Sequence, residues 1–258
     1  MNIQYKNINI NYSDYGSGAV VVLLHGFLEN LNMWENLRKD LGNQYRVLAI
    51  DLLGHGKTAC LGYIHTMEEM AEVVNAVLES LNIKKANFVG HSMGGYVTLA
   101  LAEKYPDKVG SICLLNSTSE SDSVERQLNR ERAINAVKQN HKAFISMAIS
   151  NLFAENNRKK LQAEIDQIKE EAYKMPLQGI IAALEGMKIR KNRTTFFKSL
   201  PIKKMLIYGA KDTVLNAEHL IGIFEKSDVE MLKFPDGHMS YLENKKDLAY
   251  NILHFIEK

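Results

Sequence analysis

The chain has 258 residues, 46% apolar and 24% charged, with a formal net charge of +2. That balance is ordinary for a globular protein with a large core, and too neutral to predict binding to nucleic acid or an anionic membrane surface. Two cysteines, Cys60 and Cys113, exclude a disulfide framework, and no apolar run approaches the ~20 residues of a membrane span. The first residues lack a basic stretch followed by an apolar one, so no secretion signal is expected and a cytoplasmic location is.

Ile3, Tyr5, Ile8, Ile10 and Tyr12 alternate as paired edge strands would, with a turn at Asn7. Asp14 reads as a turn residue. Residues 19–24 and 46–50 are continuous apolar runs, as expected of strands buried on both faces. A short helix is predicted around residues 33–37. From Thr66 to Leu81, apolar residues recur at helical spacing, and Thr66 with Glu69 is placed to make a capping box. Residues 86–89 and 109–115 read as further strands, with Cys113 in the core. Residues 120–198 contain no clear strand, and four helical segments are predicted at 123–138, 141–153, 158–174 and 177–188. Strand and helix then alternate again: strands at 204–208 and 229–234, helices at 217–226 and 243–256. This order predicts an α/β protein with a mostly parallel central sheet flanked by helices. Its core is 1–119 and 199–258, and 120–198 forms an inserted helical cap.

Between one strand and the helix after it lies Gly90-His91-Ser92-Met93-Gly94. A serine on a sharp strand-to-helix turn projects its hydroxyl beyond the sheet, and side chains at 90 and 94 would crowd the turn. A serine hydroxyl needs a base, and the base an orienting carboxylate. In an open α/β sheet such groups gather beyond the carboxyl ends of the strands. Asp212 and His238 each follow a late strand, giving the order Ser92, Asp212, His238. The strand ending at Leu115 is followed by Asn116 rather than by a carboxylate. Donors for a developing oxyanion are expected from the backbone N–H groups of Met93 and Phe27.

His25-Gly26-Phe27, the segment Asp51 to Gly56, Gly90 to Gly95, Gly209 to Asp212 and Gly237-His238 together resemble the α/β-hydrolase fold family over nearly the whole chain. The resemblance implies a serine hydrolase with residues 120–198 as its variable cap, Asp51 and His55 as loop-shaping residues, and His25 and His91 as supports of the site. Dehalogenases and epoxide hydrolases of this fold carry Asp where this chain has Ser92. The subfamily tendencies leave a carboxylic ester hydrolase acting on small to medium uncharged acyl esters. Alternatives are a C–C bond hydrolase or a menaquinone-pathway-type lyase on the same triad, or a small-ligand receptor with slow turnover. Leu28, Phe144, Met147, Val214 and Met239 are candidate pocket residues. The basic run 188–193 is expected to be solvated surface. No metal or cofactor is called for, the expected partner is a small-molecule substrate, and a monomer or homodimer is expected.

Overall fold

The computed structural model describes residues 1–257. In chain order, β1 (Asn2–Tyr5), β2 (Ile8–Tyr15) and β3 (Val20–Leu24) lead into α1 (Glu35–Leu41), β4 (Arg46–Ile50) and α2 (Met67–Ser80). β5 (Ala86–His91), α3 (Met93–Lys104) and β6 (Val109–Leu115) follow. The helices α4 (Val124–Gln139), α5 (His141–Leu152), α6 (Glu155–Arg158), α7 (Gln162–Ala172), α8 (Leu177–Lys188) and α9 (Thr194–Ser199) then intervene before β7 (Lys203–Gly209). α10 (Ala217–Phe224), β8 (Glu230–Phe234), α11 (Ser240–Glu243) and α12 (Lys245–Glu257) complete the chain. Among the described residues no helix is long and apolar enough to cross a membrane.

The sheet has eight strands in the order β1-β2-β4-β3-β5-β6-β7-β8. β1 and β2 join as antiparallel edge strands, and β4, β3, β5, β6, β7 and β8 run parallel. Four consecutive residues of β3, Val21 to Leu24, and five of β6, Ser111 to Leu115, are buried. Alternation is lost because helices cover both faces; α1 packs with α12, and α2 with α3. Thr66 and Glu69 form the reciprocal capping box at the start of α2, which satisfies two otherwise orphaned N–H groups and stabilises the helix by about 1 kcal/mol.

Two sequence expectations are corrected by charge pairing across the fold. Asp14 is not a turn residue but a β2 residue whose carboxylate takes a two-point contact from Arg46, at 2.9 and 2.6 Å. The basic run 188–193 is not wholly solvated. Arg190 is only 5% exposed and Arg193 only 3%. Arg190 reaches Asp122 at 2.5 Å and lies 4.1 Å from the centre of the Tyr96 ring; Arg193 meets Glu68 and Glu103 at 2.7 and 2.8 Å. A guanidinium tolerates such burial because its planar fork finds carboxylate and ring partners. Through the Tyr96 ring, Glu68 and Glu103, Arg190 and Arg193 tie the segment after α8 to α2 and α3.

The parallel register decides where the loops fall. Leu24 of β3 pairs with Gly90 of β5, His91 with Leu115 of β6, Leu115 with Ile207 of β7, and Gly209 with Phe234 of β8. The five strands therefore end side by side, and the segments leaving them share one edge of the sheet.

Candidate functional site

Ser92 sits between β5 and α3 with φ +48° and ψ −114°. An L-residue is strained there, and such strain persists only where the surroundings over-determine it. Leu115 O accepts from Ser92 N at 3.0 Å, while Ser92 O accepts from Gly95 N at 3.0 Å and from Ser117 Oγ at 2.7 Å. A Cβ at Gly90 would lie 2.5 Å from Gly94 O, and one at Gly94 would run into the Leu24 carbonyl. The two glycines are thus required by close approach of backbone on both sides of the serine. Leu28, at φ +65°, and Asn116, at φ +43°, are strained in the same sense at the ends of the neighbouring strand exits.

Asp212 and His238 meet at this edge. His238 Nδ1 lies 2.7 Å from Asp212 Oδ2, and both side chains are buried. Asp212 Oδ1 accepts from the N–H groups of Val214, at 2.8 Å, and Leu215, at 3.0 Å. Asn116 Nδ2 donates to Asp212 Oδ2 at 3.1 Å and to Gly237 O at 3.2 Å. Burial pushes the Asp212 carboxyl up, but the facing His238 imidazole, its hydrogen bond and the two backbone N–H groups outweigh it, and the carboxyl sits below its ordinary range. The sign follows: an ionised Asp212 stabilises the fold above the ordinary carboxylate value of 3.8, and that stability is lost as the pH falls through the lower folded value. Thermal melts should therefore show an acid-induced loss of stability that shrinks in Asp212→Asn; an identical acid profile in the variant would contradict the linkage.

Among the described residues, Ser92 Oγ, His238 Nε2 and the N–H groups of Phe27 and Met93 make no hydrogen bond within the protein. These four groups lie at the exits of β3, β5 and β8. His25 and Asp51 are fully used in shaping loops. His25 Nε2 accepts from Leu52 N at 2.9 Å, and the Asp51 carboxylate accepts from Leu31 N at 2.8 Å, Asn11 Nδ2 at 2.7 Å and Lys57 N at 2.8 Å. His55 bonds the Leu53 carbonyl through Nδ1, and burial holds its ring well below the ordinary histidine value. Among the described residues, no group of three or more His, Cys, Asp and Glu side chains could hold a metal ion.

The candidate pocket residues separate. Leu28 and Met239 are buried, and Leu28 lines a cleft of about 320 Å³ with Met33, Ile168 and Tyr241. Val214 and Phe144 are half-buried and pack against the core. Met147 is 59% exposed. α5 buries Ile145 and Ile149, with Ala148 and Leu152 beside them, and Met147 falls on the other side of the helix.

Three residues escape sequence reasoning: Asn116, Glu29 and Glu243. Glu243 Oε2 accepts from Gly237 N at 3.0 Å and Met239 N at 3.3 Å, while its Oε1 accepts from Ala154 N at 2.9 Å and Asn157 Nδ2 at 3.0 Å. Together with His238 N donating to Leu152 O at 2.8 Å, this carboxylate fastens the α5–α6 junction to the loop carrying His238. Glutamine offers one oxygen where four donors converge. Glu243→Gln is expected to lower stability by about 1–3 kcal/mol in urea titrations, because buried N–H groups lose their acceptor. An unchanged midpoint would show that the four bonds contribute nothing net.

Comparison with known proteins places this geometry. The structure superposes on a thermophilic esterase from Thermogutta terrifontis with a TM-score of 0.93 at 27% identity, covering 100% of this chain and 97% of that one. It superposes on an enol-lactonase from Burkholderia xenovorans LB400 with a TM-score of 0.92 at 19% identity, covering 100% of both chains, a likeness of fold alone. In sequence it is 29% identical over 249 residues to the dihydrolipoyllysine-residue acetyltransferase component of the acetoin cleaving system of Pseudomonas putida. That match covers 93% of this chain but 64% of the relative, so the chain spans less than two-thirds of that protein's length. Residues 19–245 match the family described as alpha/beta hydrolase fold, and the chain belongs to that family.

Proposed function

We propose that the protein is a serine hydrolase that cleaves carboxylic esters of small to medium, uncharged acyl groups through an acyl-enzyme. The observation that carries this reading is the His238–Asp212 contact of 2.7 Å beside a serine held at positive φ. Asp212, fixed by two backbone N–H groups, holds the imidazole with its proton on Nδ1 and its lone pair on Nε2. In the proposed reaction His238 Nε2 takes the Ser92 proton as Oγ attacks the carbonyl carbon. The Phe27 and Met93 N–H groups stabilise the oxyanion. The imidazolium gives its proton to the leaving alcohol, and water, activated by the same ring, attacks the acyl-enzyme and releases the acid. The likeness to a solved esterase over the full chain supports ester chemistry.

The test is hydrolysis of p-nitrophenyl esters from acetate to long acyl chains. Turnover highest with short to medium neutral acyl groups is expected, and strict preference for charged acids would contradict the substrate class. No turnover by folded protein across the series would favour C–C bond cleavage on the same residues or a ligand-binding role.

A further inference from the structure

Behind the His238–Asp212 contact lies a second buried pair that the reaction above does not use. Glu29 Oε2 is 2.8 Å from His91 Nδ1, and both side chains are almost wholly excluded from solvent. The same oxygen accepts from Gly26 N at 2.7 Å, one residue before Phe27. On its other side, His91 Nε2 lies 3.0 Å from the carbonyl oxygen of His238. His91 itself directly precedes Ser92. One imidazole thus touches all three segments that must act together: the Phe27 loop, the turn bearing Ser92 and the loop bearing His238.

Both ring nitrogens face acceptors. A neutral imidazole has one N–H and leaves the second acceptor facing a lone pair, whereas the imidazolium donates from both nitrogens. The pair is closely packed, since a Cβ added at Gly26 would lie 2.5 Å from Glu29 Oε2 and 2.8 Å from His91 Nδ1. We propose that Glu29 and His91 are positioning residues for ester cleavage: a doubly protonated His91, anchored by Glu29, holds the oxyanion N–H of Phe27 and the base His238 in one register. This rests on the roles assigned above to Ser92, Asp212 and His238.

The electrostatic surroundings agree. Burial pulls His91 down, but the Glu29 charge and hydrogen bond, the His238 carbonyl and the Asp212 charge outweigh it, and the ring is held above the ordinary histidine value. Burial pushes Glu29 up, and the charge and hydrogen bond of His91, the His25 charge and the Gly26 N–H bring it below the ordinary carboxylate value. The other groups facing the pair are the His238 ring, 5.2 Å from that of His91 between centres, and Tyr241, whose ring lies 5.7 Å from His91 edge-on. The Tyr241 phenol, pushed far up by burial and by the neighbouring Glu29 charge, stays neutral. As the pH rises through the folded value of His91, the ring loses one N–H and one of its two contacts.

The experiment is nitrogen-15 NMR of the histidine rings, with His91 assigned by its absence in His91→Asn, combined with kinetics of Glu29→Gln on neutral p-nitrophenyl esters. In the wild type both His91 nitrogens should remain protonated at a pH above the ordinary histidine value of 6.5, where most of an unperturbed histidine is neutral. In Glu29→Gln the His91 ring should be neutral at that pH. Its kcat should fall on the order of 10²-fold with KM within about twofold, the signature of misplaced reacting groups. The alkaline limb of the kcat profile should move to lower pH. A singly protonated His91 in the wild type would overturn the proposal. So would a Glu29→Gln enzyme with wild-type kcat and an unmoved limb. If the wild type turns over no ester, the hydrolase reading fails, and the ring spectrum still decides whether His91 is the doubly protonated joint.

Discussion

Ser92→Ala should abolish ester turnover while leaving the fold intact. Removal of a serine nucleophile costs on the order of 10⁶ in kcat where an intact base and oxyanion site remain. The variant should be as stable as the parent, within about 0.5 kcal/mol, because alanine at φ +48° bears the same backbone strain as serine and Ser92 Oγ makes no hydrogen bond within the described residues. The two readouts discriminate: lost turnover with an unchanged melt assigns chemistry to the hydroxyl, while lost turnover with a lowered melt would assign it to folding. Residual activity near the wild-type rate would place the nucleophile elsewhere.

Asp212→Asn should slow turnover by roughly 10⁴-fold, the loss seen in a serine protease when the carboxylate beside the histidine is made an amide. The structure gives the reason. Oδ1 is committed to the Val214 and Leu215 N–H groups, so the asparagine amide nitrogen would take the place of Oδ2 beside His238 Nδ1. An N–H donor there favours the tautomer with the lone pair on Nδ1 and the proton on Nε2, which cannot accept from Ser92. Substrate binding is not involved, so the loss should fall on kcat with KM little changed. Near-wild-type rates would mean that a different carboxylate orients the histidine. Asn116 is not such an alternative, since its amide already donates to Asp212.

The sequence is legible where each residue's surroundings are set by its neighbours in the chain. β3 and β4 are visible as apolar runs because both faces of the sheet are covered, and α2 is visible because its buried stripe and its capping box are local. The Ser92 turn is legible because its glycines answer a local crowding. The order of Asp212 and His238 follows from strand ends that parallel register brings together. What stays hidden depends on partners far along the chain. Glu29 finds His91 across 62 residues, Asn116 finds Asp212 across 96, and Ala154 finds Glu243 across 89. Arg190 lies in a run that looks solvated, and its burial is made tolerable by Asp122, the Tyr96 ring and the carbonyls of Glu120 and Met187. α9 and α11, of six and four residues, are too short for a period to emerge. Met147 belongs to a stripe of apolar residues wider than the face α5 buries, and propensity does not say which edge of such a stripe faces solvent.

The measurement that tests the central claim most directly is covalent capture of the nucleophile. A fluorophosphonate reacts with a serine only where a base activates it and donors stabilise the resulting oxyanion-like adduct. Mass spectrometry of the digested protein should find a single phosphonyl group on Ser92, formed in step with the loss of ester turnover and absent from Asp212→Asn over the same interval. Adduct formation at another residue, or loss of turnover with Ser92 unmodified, would contradict the assignment of Ser92 as the nucleophile.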